Sequence, residues 1–416
     1  MSGAGSLAQL VNKLTKLGDR LHLNREMALN ALQNQVTPSI CGESAEFKGH
    51  ARTIMMDVLK VMYNSARWED RHGAINGSIV LIEKFYDTQA EGGVDSVLKD
   101  YVWNALRADR VPGLLRDSEF RVRNQLGLLL KAMISHDQEK GAQHFDKLKE
   151  MLLKDIEETF EREPEGGVDA SADPNVINKA RKLINDADGG KTMHDTEGWK
   201  SLETSMRILQ HIIEAIGVRL YDFSLDRILQ VIIKGVDHIN RFVREISYFV
   251  INAIFETSAK IMAERSEDDS AASDKVEKFL SFCDDLVPII AKGLGDNWSQ
   301  VRYAASQAVR AFYLIAKEDE ALKGKYDALL IPRMCLNRYY VAEGVKIYSN
   351  ETWRLVHGDQ GRQIICKYAG EVCHFYIEQS LADNHAVREA ACHCISELCT
   401  KVAAVVDKEP FKPYIA

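Results

Sequence analysis

One phrase recurs along the chain, and it limits the possible folds more than any other feature. In its clearest copy, Asp296 to Phe312, an acidic turn is followed by a Trp, a Val-Arg pair and a run of small and apolar residues. Similar stretches read "ARWEDRHGAINGSIVLI", "DSEFRVRNQLGLLLKAM", "NRFVREISYFVINAI" and "DNHAVREAACHCISEL". The copies align on Arg71, Arg123, Arg244, Arg302 and Arg388. A recurring unit predicts a repeat architecture, in which each unit buries its apolar face against its neighbours.

Aspartates accompany the arginines. In four copies an aspartate lies a few residues upstream: Asp117, Asp237, Asp296 and Asp383. Such a side chain can accept hydrogen bonds from the free N–H groups that begin a helix. It can also pair with the arginine of its own or the adjacent repeat. We therefore interpret the arginines and aspartates as one structural set repeated along the chain.

The spacing of apolar residues predicts an all-α fold. In residues 201–220, for example, apolar side chains fall on one face of a helix. Two longer acidic breaks, 155–175 and 264–275, are predicted to be loops inserted between packed helices. These breaks suggest N-terminal repeats at 1–154, an acidic insertion with a short helix at 155–196, and C-terminal repeats at 197–416.

Composition restricts the functional classes. The 416 residues carry a formal net charge of -8, which argues against nucleic acid as a partner. No secretory signal and no stretch of 18 apolar residues is present in this sequence, so no membrane span is expected. The eight cysteines are typical of reduced intracellular thiols, which predicts a cytoplasmic or nuclear location.

The repeated phrase resembles the HEAT repeat, a helical hairpin with an Asp in its turn and a Val-Arg pair at the start of its second helix. Pro288, within a predicted first helix, matches another trait of that family. The resemblance is strongest at 282–315 and 371–403. It implies a right-handed superhelical solenoid of about seven to nine hairpins. The final residues, "DKEPFKPYIA", read like the start of a further repeat, so we expect either a longer natural protein or an atypical last repeat.

Each phrase also carries an aromatic residue or a histidine just before its arginine: Trp68, Phe120, Phe242, Trp298 and His385. In a stack of hairpins these positions would share one edge. The rings either pack beneath their own turns or form a ridge of partner-binding anchors, since Trp and Arg are favoured at binding hot spots. The second arrangement is similar to that of tubulin-binding TOG domains, which are HEAT arrays with a Trp in the first turn.

Other chemical motifs are weak. Seven cysteines and histidines cluster between Cys366 and Cys399, but they lack zinc-finger spacing and fit a buried helical stripe. The "GGKT" at 189–192 lacks the upstream Gly of a phosphate-binding loop. No His is followed by Glu, as iron-binding HEAT-like hydroxylases require. We therefore expect no catalytic, cofactor or metal residues.

These observations predict a non-catalytic scaffold or assembly factor that binds one or more proteins along a helical-repeat surface. A TOG-like tubulin-binding module and an importin-like transport receptor are the alternatives. A HEAT-fold enzyme would require polar groups converging in a pocket.

Overall fold

The computed structural model describes residues 3–86, 94–162, 199–263, 270–317 and 319–401, and within these ranges nearly every residue is helical and none is in a strand. The α-helices are α1 (Gly3–Lys16), α2 (His22–Ala31), α3 (Thr37–Cys41), α4 (Ala45–Tyr63), α5 (Trp68–Phe85), α6 (Val94–Asp100), α7 (Val111–Leu115), α8 (Phe120–His136), α9 (Gln138–Arg162), α10 (Trp199–Ile216), α11 (Asp226–Val236), α12 (Arg241–Ala263), α13 (Ser270–Gly293), α14 (Ser299–Ile315), α15 (Glu320–Asn337), α16 (Glu343–His357), α17 (Gly361–Lys367), α18 (Ala369–Ser380) and α19 (His385–Lys401). Wider π-type turns occupy Leu32–Val36 and Tyr101–Arg110, and tighter 3₁₀ turns occupy Gly217–Asp222 and Gly358–Gln360.

The chain divides into two compact units. Unit 1 takes its described residues from Met1–Glu163 and Lys200–Arg219, and unit 2 takes them from Pro164–Trp199 and Leu220–Ala416. The helix α10 therefore packs mainly with the N-terminal repeats, although a long acidic segment of the sequence precedes it.

Unit 1 is built from hairpins whose second helices lie side by side. Helix α4 pairs with α5, α7 pairs with α8, and α5 packs along α8. Small residues on the buried face of α5 also let α1 and α4 approach closely, because Gly73 lies against Leu17 and Met62, and Gly77 lies against Leu14 and Leu59. The interior is aliphatic, with Leu59, Leu126 and others fully buried.

Unit 2 repeats this arrangement. Helices α11, α13 and α15 pair with α12, α14 and α16 respectively, and the second helices α12, α14 and α16 pack in sequence. The hairpin of α18 and α19 follows, and both of its helices contact α15. Helical hairpins that each bury one face against the next form the HEAT-like all-α fold predicted from the repeated phrase, and that prediction is confirmed.

The limits of the acidic breaks were predicted wrongly at two points. Helix α9 continues to Arg162, inside the first acidic break. It does so because this part of the break contains apolar residues at helical spacing, and one of them, Ile156, is fully buried. Helix α13 begins at Ser270, and Lys275 in its first turns pairs with Asp222 at 2.7 Å. The remaining parts of both breaks lie outside the described residues. Of the helices that are described, none is long and apolar enough to cross a membrane.

Candidate functional site

The turn arginines fold back onto the loop that precedes their helix. Each guanidinium donates to the carbonyl groups found five and six residues upstream, at 2.6–3.4 Å. The pairs are Arg71 with Ala66 and Ser65, Arg123 with Ser118 and Asp117, Arg244 with Ile239 and His238, and Arg388 with Asp383 and Ala382. These carbonyls have no partner within a helix, so the arginine supplies the missing donors and fixes the shape of the turn.

Arg302 makes a deeper version of the same contact. Its side chain is 1 % exposed, donates to the carbonyls of Leu294, Gly295 and Asp296, and reaches Oδ1 of Asn337 at 2.6 Å. The Tyr340 ring lies 4.2 Å from its guanidinium carbon. Every donor of this buried cation therefore faces an acceptor or an aromatic face, as burial of a charge requires.

Arg25 belongs to the same set, although the sequence analysis missed it. It donates to the carbonyls of Arg20 and Asp19, five and six residues upstream, at 3.0 and 2.7 Å. The signal was present in the sequence as an Asp six residues before an Arg. It was overlooked because the Val-Arg pair and the following run of small residues are absent there.

Six positions before the arginine, five of the six turns carry a side chain that accepts a hydrogen bond, and Ala382 before Arg388 is the exception. Asp19, Asp117 and Asp296 each accept from the backbone N–H two residues further on, at 2.8–2.9 Å. Ser65 and His238 occupy the same position in their turns and accept from the N–H groups of Arg67 and Asn240. This bond shapes the entry into the second helix of each hairpin.

Two of these aspartates also bind the arginine of the preceding repeat. Arg71 donates to both carboxylate oxygens of Asp117 at 2.6 and 2.9 Å, and Arg244 binds Asp296 likewise at 2.9 and 3.2 Å. Burial opposes ionisation of Asp117, but the bonds from Arg71 and from the Glu119 N–H outweigh it and lower the pKa of Asp117. Each two-pronged pair therefore fastens one turn to the next.

The remaining arginine positions lack that carboxylate. Arg123 donates to the hydroxyl of Thr204 at 3.3 Å, whereas Arg71 and Arg244 donate to an aspartate. Arg388 follows the last described turn, and among the described residues it donates only to carbonyls of its own turn. The arginine is thus common to all the copies, whereas the link between repeats depends on what the next turn offers.

The expected role of the aspartates as helix caps is wrong. Asp117 and Asp296 accept from the N–H groups of Glu119 and Trp298, which precede the first residues of α8 and α14. Asp237 and Asp383 are placed differently. They lie seven and five residues before their arginines, whereas that contact requires six. Asp237 instead pairs with Lys292, and Asn240 accepts from the N–H of Phe242 at 2.9 Å. At the start of α19, Asn384 accepts from the N–H of Ala386 at 3.0 Å.

The predicted aromatic ridge does not occupy a single register. Trp68, Phe120 and His385 are the first residues of their helices, whereas Trp298 precedes the first residue of α14 and Phe242 is the second residue of α12. Phe120 and His385 are exposed, and the other three rings are half-buried. All five lie at the turns, but they point from different helical positions.

Arginines lie against these rings in both units. In unit 1 the guanidinium carbons of Arg25 and Arg121 are 5.1 and 4.9 Å from the centre of the Trp68 ring. In unit 2 Arg241 lies 4.2 Å from the Trp298 ring and 4.8 Å from the Phe242 ring, and Trp199 stacks on Phe242 at 5.0 Å. Cation–π contacts of this kind hold a ring in place while leaving part of it open to solvent.

An open cleft adjoins the Trp68 ring. It measures about 420 Å³ and lies between the turn before α5 and the turn before α8. Its lining consists of Arg20, Ala66, Arg67, Trp68, Glu69, Arg71, Ser118 and Glu119. This is the place in unit 1 where an aromatic ring, guanidinium groups and open space meet.

The cysteine and histidine cluster is divided among different environments. Cys373 and Cys394 are buried, and burial raises the pKa of both thiols. His393 stacks on Tyr339, and Cys392 is exposed. Within the described ranges, no group of three or more His, Cys, Asp or Glu side chains could hold a metal ion. The "GGKT" stretch lies outside those ranges.

Comparison with known proteins gives structural matches only. No protein-family model and no curated protein matches the chain. Yeast importin-β (Kap95p) is similar over 97 % of this chain and 47 % of its own, with 13 % identity and a TM-score of 0.42. Importin-β crystallised with ammonium sulfate is similar over 98 % of this chain and 48 % of its own, with 10 % identity and a TM-score of 0.38. An engineered protein is similar over 94 % of this chain and 99 % of its own, with 13 % identity and a TM-score of 0.30. The chain therefore spans about half the length of the importin-β structures to which it is similar.

Proposed function

We propose that this chain is a non-catalytic helical-repeat scaffold of the cytoplasm or nucleus, and that it binds partner proteins at the turns carrying Trp68 and Trp298. One observation supports this most directly. Each unit holds a half-exposed Trp at a hairpin turn, fixed by arginine side chains. Trp and Arg are the side chains most enriched among residues that dominate binding energy.

The rigidity of these turns supports the proposal further. The Arg71–Asp117 and Arg244–Asp296 pairs fix the backbone from which the two Trp side chains emerge. A pre-organised ring loses little conformational freedom when a partner covers it, so more of its buried area contributes to affinity.

The polar groups that do converge inside the units support a structural role. Asp327 accepts from the hydroxyls of Tyr313 and Tyr368 at 2.8 and 3.1 Å, which links three helices. Glu214 binds Lys131 at 2.5 Å and Gln210 at 2.7 Å. In both clusters the carboxylate is fully engaged by donors of the fold.

A tubulin-binding module of the TOG type is a second candidate, and the arginines beside both Trp rings favour it. Tubulin is acidic, and guanidinium groups next to an exposed ring suit an acidic surface. Co-sedimentation of the purified chain with tubulin, with Trp68→Ala and Arg121→Glu as variants, tests this candidate.

Affinity capture from a native lysate tests the proposed function. We expect Trp68→Ala/Trp298→Ala to lose partners that the wild-type chain retains. A matched control is Leu128→Ala/Ile347→Ala, because these exposed apolar residues lie on α8 and α16, at least one helical turn from either end of the helix. Circular dichroism must first show that every variant is folded. Equal capture by the wild type and the Trp variant, with loss in the control, would place the binding surface on the helix faces and contradict the proposal.

A further inference from the structure

The cleft beside Trp68 is the best-defined concave feature of the turn edge in unit 1. Three of its eight lining side chains are arginines: Arg20, Arg67 and Arg71. Arg71 is neutralised by Asp117. Arg67 donates to the Gly18 carbonyl, and its Nε lies 3.8 Å from a carboxylate oxygen of Glu69 and of Asp70. Arg20 is exposed and forms no ion pair with a carboxylate among the described residues.

Arg25 is a second guanidinium without a carboxylate partner in the described part of the chain. Its side chain is 8 % exposed, its Nη1 donates only to main-chain carbonyls, and its Nε has no acceptor. A buried N–H without an acceptor costs on the order of 1–3 kcal/mol. This Nε is fully buried and Arg25 does not line the cleft, so Arg25 holds the Trp68 ring in place from beneath and does not face a ligand.

Basic side chains lie close to the Trp68 ring. His72 packs edge-on against Trp68, with ring centres 6.2 Å apart. Burial, followed by the charges of Arg25, His22 and Arg121, lowers the pKa of His72 to about 4. Arg25, His22 and Arg121 therefore disfavour a further cation at this position, whereas Glu119 acts in the opposite direction.

An apolar contact is available next to these charges. Leu21, which follows Arg20 in the chain, is 65 % exposed, and Leu23 is exposed to the same extent. A ligand of this surface would therefore combine negative charge with apolar side chains.

We propose that the cleft beside Trp68 binds an extended acidic segment of a partner protein, in which a carboxylate pairs with Arg20 while an apolar side chain lies against Trp68 and Leu21. The proposal rests on the proposed scaffold function and specifies the partner of this site. A protein segment fits better than a nucleic acid because Glu69 and Glu119 also line the cleft. Those carboxylates would repel a continuous phosphate backbone, whereas a peptide can place its acidic residues beside the arginines alone.

Fluorescence anisotropy with a labelled 12-residue peptide of alternating Glu and Leu tests the proposal. The same peptide with Gln in place of Glu is the matched probe, and a single-stranded oligonucleotide is the competitor. We expect the Glu peptide to bind more tightly than the Gln peptide, and Arg20→Glu to weaken its binding by about tenfold. Arg20 is exposed, so this variant should fold normally. Arg354→Glu on α16 is the control, an exposed arginine of unit 2 that should leave binding unchanged.

Three results would overturn the proposal: equal binding of the two peptides, unchanged binding by Arg20→Glu, or stronger binding of the oligonucleotide than of the Glu peptide. Failure here is separable from failure of the proposed function. If the Trp variant still loses partners in affinity capture while the acidic peptide does not bind, the scaffold function stands and only the acidic specificity is wrong.

Discussion

The residue six positions before each turn arginine determines how firmly one repeat is fastened to the next. Where it is an aspartate facing the arginine of the preceding repeat, as at Asp117 and Asp296, two charge-assisted bonds cross between hairpins. Where it is Ser65 or His238, the residue shapes its own turn. One side chain therefore serves either the local turn alone or both the turn and the stack.

Removing such an aspartate should destabilise the fold measurably. Asp296→Ala loses two bonds from Arg244 and one from the Trp298 N–H, and it leaves a half-buried guanidinium without its carboxylate. We expect the free energy of unfolding, measured by urea titration, to fall by about 1–3 kcal/mol. Asp383→Ala, at an exposed aspartate outside the required spacing, is the control and should change it by less than about 0.5 kcal/mol. Equal effects would contradict the assigned roles.

A buried histidine should make stability depend on pH. His357 lies against Trp353 and Tyr313, with ring centres 4.4 and 5.6 Å apart. Burial, followed by the charges of Lys323 and Arg338, lowers its pKa to about 4. The unfolded chain, with a histidine pKa of about 6.5, therefore binds the proton more readily. Stability is fully present above pH 6.5 and is lost as the pH falls from 6.5 towards 4.

The variant His357→Phe tests this source of pH dependence. It keeps an aromatic ring in the site but removes the titrating group. We expect a shallower decrease in the free energy of unfolding between pH 6.5 and 4 than in the wild type. An unchanged slope would show that His357 is not responsible. His374→Phe, at an exposed histidine, is the control and should leave the slope unchanged.

At the residue scale the sequence predicted the arginines better than their partners. All five aligned arginines lie near the start of a second helix, and four of them follow a Val, whereas Arg71 follows Asp70. The roles of Asp237 and Asp383 were wrong because a difference of one residue moves a side chain away from the N–H of the turn. Trp68 and Trp298 were also predicted to be equivalent, but they lie three and four residues before their arginines. The prediction was wrong because the rings were aligned by residue type and not by distance from the arginine.

At the scale of elements, glycines set how closely neighbouring helices approach. Gly293, near the end of α13, lies against Tyr248 of α12, and a Cβ atom there would be 2.6 Å from Cε1 of that ring. The Tyr248 hydroxyl donates to the Ile289 carbonyl, so the ring cannot move without losing a buried hydrogen bond. The spacing between α12 and α13, which belong to neighbouring hairpins, therefore depends on the absence of a side chain at position 293.

Adding a methyl group at this glycine should destabilise unit 2. We expect Gly293→Ala to reduce the free energy of unfolding by about 1–3 kcal/mol through overpacking. Gly344→Ala in the first turn of α16 is the matched control, because a Cβ there meets nothing within 4 Å. It should stabilise the protein by up to about 1 kcal/mol by favouring the helix. Thermal unfolding of both variants distinguishes the two effects, and a stabilised Gly293→Ala would contradict the packing described here.

Element boundaries were less predictable than element type. Helical periodicity predicted the helices. The end of α9 and the beginning of α13 were predicted as loops, because both segments are acidic. The π-type turn at Tyr101–Arg110 gave no signal in the sequence, because it depends on tertiary contacts. Within it the buried Trp103 donates to the Tyr86 hydroxyl at 3.0 Å, and that hydroxyl donates to Asp137.

At the scale of the whole molecule, the eight cysteines report on the packing of the entire chain. Four are buried: Cys283, Cys335, Cys373 and Cys394. Burial raises the pKa of Cys283 to about 12 and that of Cys335 to about 11, which suppresses the reactive thiolate. We expect a thiol reagent at pH 8 to modify Cys392 first and these four only on unfolding. Rapid reaction of all eight thiols in the native protein would contradict this packing.

Hydrogen exchange, measured on the chain with and without a captured partner, tests directly whether partners bind at the turns. We expect slower exchange in the segments around Trp68 and Trp298, at 64–72 and 294–302, with little change along the middle of α4. Protection confined to helix faces, with both turns unchanged, would show that the rings are packing residues and that the binding surface lies elsewhere.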